Sequence, residues 1–194
     1  MGSVNNKYNV TTDDFGNPFI ASTNAYIEGG TARNVYGGGW EGSVGYHDGA
    51  ISTNTTGDIL GETHVVIGKL DGTSFIDGIP AIDRNAYGGG EGGAVFGTAY
   101  LKMNKGYVGY QYNPDGTDNT STTNIDERYE EKIEDDTQTM PNTLLTDAGC
   151  LFGGGYIDNS SVDNTEISIY GGHVRGSAFG GGEVAAIGRG SINK

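Results

Sequence analysis

Short runs of β-branched and aromatic residues, each closed by glycine, carry most of the apolar content of this chain. "AYIEGG" ends at Gly30, "THVVIGK" contains Ile67, "TAYLKM" ends at Met103 and "TEISIYGG" ends at Gly172. Their length and composition predict strands, and Asn-Thr-Gly stretches such as "STNTTGD" predict loops. A second pattern follows the first. A small or aliphatic residue precedes an aromatic, and three glycines come next: "VYGGGWEG", "AYGGGEGG", "LFGGGYID" and "AFGGGEVA". The aromatics are Tyr36, Tyr87, Phe152 and Phe179. Seven residues after the first glycine stands Val44, Val95 or Ile187, and only the copy at Phe152 departs from this.

Four copies of one pattern make a repeat. The triplets begin at Gly37, Gly88, Gly153 and Gly180, so the spacings are 51, 65 and 27. Upstream, Ile27 and Ile169 stand ten and eleven residues before their triplets, and Ile67 stands 21 before its own. The shortest spacing reads as the bare unit and the others as units enlarged by insertions. Strand, Gly-Gly turn, strand, triple-glycine corner, strand is one coil of a parallel β-solenoid. Stacked coils would bury a continuous core, with the motif aromatics in one buried ladder.

The predicted fold is therefore all-β, a parallel β-solenoid with glycine-rich corners and one long insertion carrying a short helix. Residues 1–24 lack the motif and read as an N-terminal cap or flanking segment; residues 25–194 read as the repeats. Three insertions interrupt them: "GYHDGAISTNTTGD", "KLDGTSFIDGIPAIDR" and an excursion over about 104–147. In the third, "NIDERYEEKIEDD" reads as the helix, with Ile125, Tyr129 and Ile133 four apart and Asn124 with Glu127 as its N-terminal signature. Insertions of a repeat array are expected on one face, where binding functions gather.

Composition narrows the function. The chain has 36 glycines in 194 residues and a formal net charge of −14. That charge disfavours nucleic acid and anionic lipid, both of which need clustered Lys and Arg. No apolar run is long enough to span a bilayer. No basic segment followed by an apolar one opens the chain, so no export signal is visible. Cys150, the one cysteine, stands in the apolar "AGCLFGGG" and reads as a buried, inert thiol.

Candidate chemistry is sparse. "GGGWEG" and "GGGEGG" match G-x-G-x-x-G literally, but no helical pattern follows, so they read as corners rather than as a phosphate cradle. His47, His64 and His173 have no metal-ligand spacing. Asp77 and Asp83 are the acids a β-helical glycan-cleaving enzyme would use, but no linear motif supports one, and the chain reads as non-enzymatic with no cofactor. Exposed aromatics next to polar residues suit sugar rings. The candidates are Trp40 and Tyr156, at the position where other copies have Glu91 and Glu183, and Tyr107, Tyr110 and Tyr112 at the root of the long excursion. Glu130, Glu131, Glu134, Asp135 and Asp136 form an acidic patch for a cation or a basic partner, or simply a solvated face.

The segments "GGTARNVYGGG" (29–39) and "GGHVRGSAFGGG" (171–182) resemble the tandem segments of large glycine-rich secreted or surface proteins from gut-type Bacteroidetes and related anaerobes. The resemblance implies a parallel β-solenoid in an extracellular or cell-surface protein of adhesin-like or structural role, and it brings no catalytic residues. A glycan or a cell-surface molecule is the expected partner, with self-association through the solenoid ends. The alternatives are a phage or bacterial carbohydrate-binding adhesin built from packed polyglycine helices, and a β-helical glycan-active enzyme.

Overall fold

A computed structural model describes residues 15–17, 20–46, 59–71, 74–75, 80–109 and 149–188. These residues are all-β, with no helix among them. Each passage of the chain lays down one long strand and two short ones. The first runs through β1 (Ile20–Ile27), β2 (Thr31–Ala32) and β3 (Val35–Tyr36). The second runs through β4 (Leu60–Ile67), the small β5 (Leu70–Asp71) and β6 (Ser74–Phe75), then β7 (Ala81–Ile82) and β8 (Ala86–Tyr87). The third comprises β9 (Val95–Met103), β10 (Tyr107–Val108) and β11 (Leu151–Phe152). The fourth comprises β12 (Val162–Ile169), β13 (His173–Val174) and β14 (Ala178–Phe179).

Corresponding strands pair side by side, in parallel. The long sheet has the order β1-β4-β9-β12, the second sheet β2-β7-β10-β13 and the third β3-β8-β11-β14. Each circuit of the chain thus adds one strand to each sheet, which is consistent with a β-helix- or solenoid-like fold. β5 and β6 form a separate antiparallel pair.

Parallel pairing in register puts residues of one column next to one another at about 4.8 Å spacing. The columns Ile27–Ile67–Met103–Ile169 and Ala25–Val65–Leu101–Ile167 face inward from the long sheet. They meet Val35, Ala86 and Leu151 from the third sheet and Ala32, Ile82, Val108 and Val174 from the second in one core. Each fully buried aliphatic there contributes about 1.5–3 kcal/mol. A smaller cluster of Val44, Val95, Ala99 and Val162 closes the corner after the glycine triplets. Val162 fills the place that Phe152's copy lacked at the seventh position. It stands nine residues after Gly153, so this corner carries two extra residues and still delivers its aliphatic.

The triplets are glycine because successive circuits touch backbone to backbone there. A Cβ on Gly37 would lie 2.1 Å from the Gly88 carbonyl oxygen, one on Gly88 2.5 Å from that of Gly153, and one on Gly153 2.6 Å from that of Gly180. A threonine caps the carbonyl in three circuits: Thr23 Oγ1 donates to Gly37 O (2.6 Å), Thr63 Oγ1 to Gly88 O (2.5 Å) and Thr165 Oγ1 to Gly180 O.

Several boundaries differ from the sequence reading. Residues 20–24, assigned to the flanking segment, already form five of the eight residues of β1. The second insertion is shorter than expected, because Ala81–Ile82 belongs to the second sheet. The long excursion begins later than about 104: Asn104 is buried, Val108 is a core residue, and β10 pairs with both β7 and β13. The polar link Asn104-Lys105-Gly106, which separates it from β9, hid this strand. The three insertions also leave at three different corners rather than from one face. The first is closed at its neck by the antiparallel bridge between Tyr46 and Ile59, the second follows β4, and the third follows β10. The expected helix lies outside the described residues.

Candidate functional site

Alternation along the long strands sends every second side chain outward, and the burial of β4 and β9 follows it. Register then builds outward columns. One is Asn24–His64–Tyr100–Glu166 and the next is Tyr26–Val66–Lys102–Ser168. His64 stacks flat on Tyr100, with ring centroids 4.8 Å apart and planes 10° from parallel. Glu62 Oε2 lies 3.4 Å from His64 Nε2. At the strand ends, the Lys102 ammonium lies 5.1 Å from the centroid of the Tyr170 ring. Val66, Glu166 and Ser168 complete a shallow groove of about 250 Å³ with these residues. Tyr170 is 71% exposed and Tyr26 is 62% exposed. The face therefore combines open aromatic rings with carboxylates, a lysine, asparagines and a serine.

The motif aromatics form a second array. Tyr36 stacks on Tyr87 (4.8 Å, 8°), Tyr87 on Phe152 (5.1 Å, 9°) and Phe152 on Phe179 (5.2 Å, 13°). These rings lie on the opposite face of the third sheet from the aliphatic core, because their strand neighbours Val35, Ala86 and Leu151 point into it. The ladder is buried at its centre only: Tyr87 and Phe152 are buried, Tyr36 is half-buried and Phe179 is 46% exposed. Among the described residues β14 pairs only with β11, and the Phe179 ring stays open on its other side.

Polar groups hold this array. Tyr87 donates its hydroxyl hydrogen to Glu183 and accepts from Asn85 Nδ2 (3.1 Å). Asn85 Oδ1 in turn accepts from the backbone N–H of Cys150 (2.9 Å). Burial, then the hydrogen bond to Glu183, pushes the Tyr87 phenol far above its ordinary range. Burial and the Glu91 carboxylate raise that of Tyr36 as well. Arg84 is lowered, first by burial and then by the charge of Arg33. Both shifts favour the protonated phenol, and that of Tyr87 is held by hydrogen bonds on both sides.

The sequence candidates are dispersed. Trp40, Glu91, Tyr156 and Glu183 do occupy one row, joined by bonds from Glu91 N to Gly39 O, Tyr156 N to Gly90 O and Glu183 N to Gly155 O. Trp40 is 74% exposed. Tyr156 is half-buried and packs on Tyr87 at 5.6 Å, so it covers the ladder rather than offering an open ring. Tyr107 lies in β10 on the second sheet, stacked on His173 at 4.9 Å. Tyr110, Tyr112, Glu130, Glu131, Glu134, Asp135 and Asp136 lie outside the described residues, as do His47 and Asp77. Asp83 follows β7 at a corner. Cys150 is buried.

Sequence reasoning missed Tyr26, Tyr100 and Tyr170. The signal was present: Tyr26 precedes the aliphatic Ile27, Tyr170 follows Ile169, and Tyr100 alternates with Leu101. Among the described residues, no three His, Cys, Asp or Glu side chains are disposed to hold a metal ion, and no helix is long and apolar enough to cross a membrane. No protein-family model, no curated protein and no solved structure matches the chain.

Proposed function

We propose that the chain is a β-solenoid section of a non-enzymatic, adhesin-like protein of the cell exterior, and that the outward face of its long sheet binds glycan. The solenoid reading rests on the three sheets of one common order, with every circuit feeding each in turn. The resemblance of residues 29–39 and 171–182 to glycine-rich surface proteins favours the exterior.

One observation carries the glycan reading: the His64–Tyr100 stack and the open Tyr170 ring border one groove together with Lys102, Glu166 and Ser168. Sugar rings present an apolar face to aromatic planes and hydroxyls to carboxylates, amides and ammonium groups. A rigid sheet fixes these groups without loop-ordering cost on binding.

The test is a panel of soluble oligosaccharides and polysaccharides titrated calorimetrically against the protein and its Tyr100→Ala and Tyr170→Ala variants. Tyr170 is open, so its loss leaves stability within about 0.5 kcal/mol. The expected result is binding of at least one glycan, weakened about tenfold in either variant, or about 1.4 kcal/mol. Binding that both variants retain in full refutes this face as the site, and a panel with no ligand favours a purely structural section.

A further inference from the structure

The fourth circuit is shaped for a neighbour that is not found among the described residues. In the first three circuits the opening glycine of the triplet is required by the circuit that follows, whose carbonyl oxygen would lie 2.1–2.6 Å from an added Cβ. Gly180 has the same place in the fourth circuit, yet among the described residues nothing comes within 4 Å of its Cβ position. No described residue restricts that position to glycine. The ring stack likewise stops at Phe179, 46% exposed, and the inward column stops at Ile169, 47% exposed. Among the described residues, β12, β13 and β14 are all edge strands.

The first circuit carries the complement. β1, β2 and β3 stand at the opposite edges of the same three sheets. Gly37 O accepts from Thr23 Oγ1, as Gly88 O accepts from Thr63 Oγ1, and Gly88 O is the oxygen against which Gly37 packs. The Tyr36 ring and Ile27 lead the same two columns that end at Phe179 and Ile169. We propose that the first circuit of a second copy docks on the fourth circuit of this one, head to tail and parallel, with Gly37 O over Gly180 and Tyr36 on Phe179. The interface repeats the spacing of the internal circuits. It is heterologous and translational, so it does not close and builds linear assemblies. The net charge of −14 opposes it at low ionic strength, and salt relieves that opposition.

Sedimentation velocity across protein concentration and ionic strength tests this, with Gly180→Ala as the probe. That methyl group meets nothing within 4 Å among the described residues and meets the incoming carbonyl in the assembly. The wild type should form a ladder of linear species that lengthens with salt. Gly180→Ala should lower the association constant by on the order of tenfold or more with no loss of thermal stability. Its first circuit is intact, so a small fraction of it mixed into wild type should also shorten the assemblies by ending growth. A wild type that stays monomeric at high salt and concentration overturns the proposal. So does assembly that Gly180→Ala leaves unchanged, which would place the contact elsewhere on the surface.

Discussion

Replacing Gly88 by alanine puts a methyl carbon 2.5 Å from the carbonyl oxygen of Gly153 and 3.4 Å from the Ala99 Cβ. An ordinary C···O contact is about 3.3 Å, so the two circuits must separate by roughly 0.8 Å. They are tied together at this point by bonds from Gly88 N to Phe152 O (2.8 Å) and from Gly89 N to Gly154 O (3.0 Å). Overpacking against fixed backbone costs about 1–3 kcal/mol. Alanine returns about 0.4–1 kcal/mol by restricting the unfolded chain. The net loss for Gly88→Ala is therefore about 0–2.6 kcal/mol, about 1.3 kcal/mol at the middle of both ranges. The same change at Gly180 meets nothing within 4 Å among the described residues and keeps only the favourable part. Gly180→Ala should be neutral or more stable by up to about 1 kcal/mol. Urea unfolding followed by fluorescence and far-ultraviolet circular dichroism, at low salt and low concentration, measures the difference. Two variants within about 0.5 kcal/mol of each other would refute the argument that the next circuit dictates these glycines.

Phe152→Ala removes a 5% exposed ring from the middle of the stack and should cost about 3–5 kcal/mol, whereas Phe179→Ala, at 46% exposure, should cost about half as much; chemical denaturation compares them. Excising residues 110–148 and joining Gly109 to Gly149 should keep a cooperative transition, because Gly109, Gly149 and Cys150 then form a three-residue corner like Asp83–Asn85 and Arg175–Ser177. The entropy of closing a connection changes only slowly with its length, while a deletion that starts at Asn104 removes Val108 from the core and should abolish the transition. Thr63→Val should cost about 1–2 kcal/mol by leaving Gly88 O without its 2.5 Å hydroxyl donor, and a thermal melt of the variant reads it. The Tyr36 and Tyr87 phenols have folded pKa values above their unfolded ones, so their contribution is intact below about pH 10 and falls as pH rises past it. Ultraviolet titration should show two tyrosines that ionise only on unfolding, and a smooth titration of all tyrosines in the native protein would contradict the burial argument.

The glycine triplets, the aromatics before them and the aliphatic after them were legible in the sequence because each is a local demand repeated in every circuit. A corner that packs backbone on backbone excludes any Cβ, and a parallel register stacks whatever residue precedes it, so Tyr36, Tyr87, Phe152 and Phe179 could be matched by spacing alone. All-β structure with parallel sheets followed from the same repetition. What tertiary structure decided is what each residue faces. Two-residue strands such as Tyr107–Val108 are too short to carry a periodic signal, so β10 reads as loop until β7 and β13 flank it. Which side of a strand meets the core depends on the other two sheets, and this put the aromatic ladder outside the aliphatic core and Tyr156 over it. The outward columns join residues 36 or more positions apart, such as His64 with Tyr100, and no local pattern links them. Register alone brings them within stacking distance, because each circuit lies one strand spacing from the next whatever length of chain is inserted between.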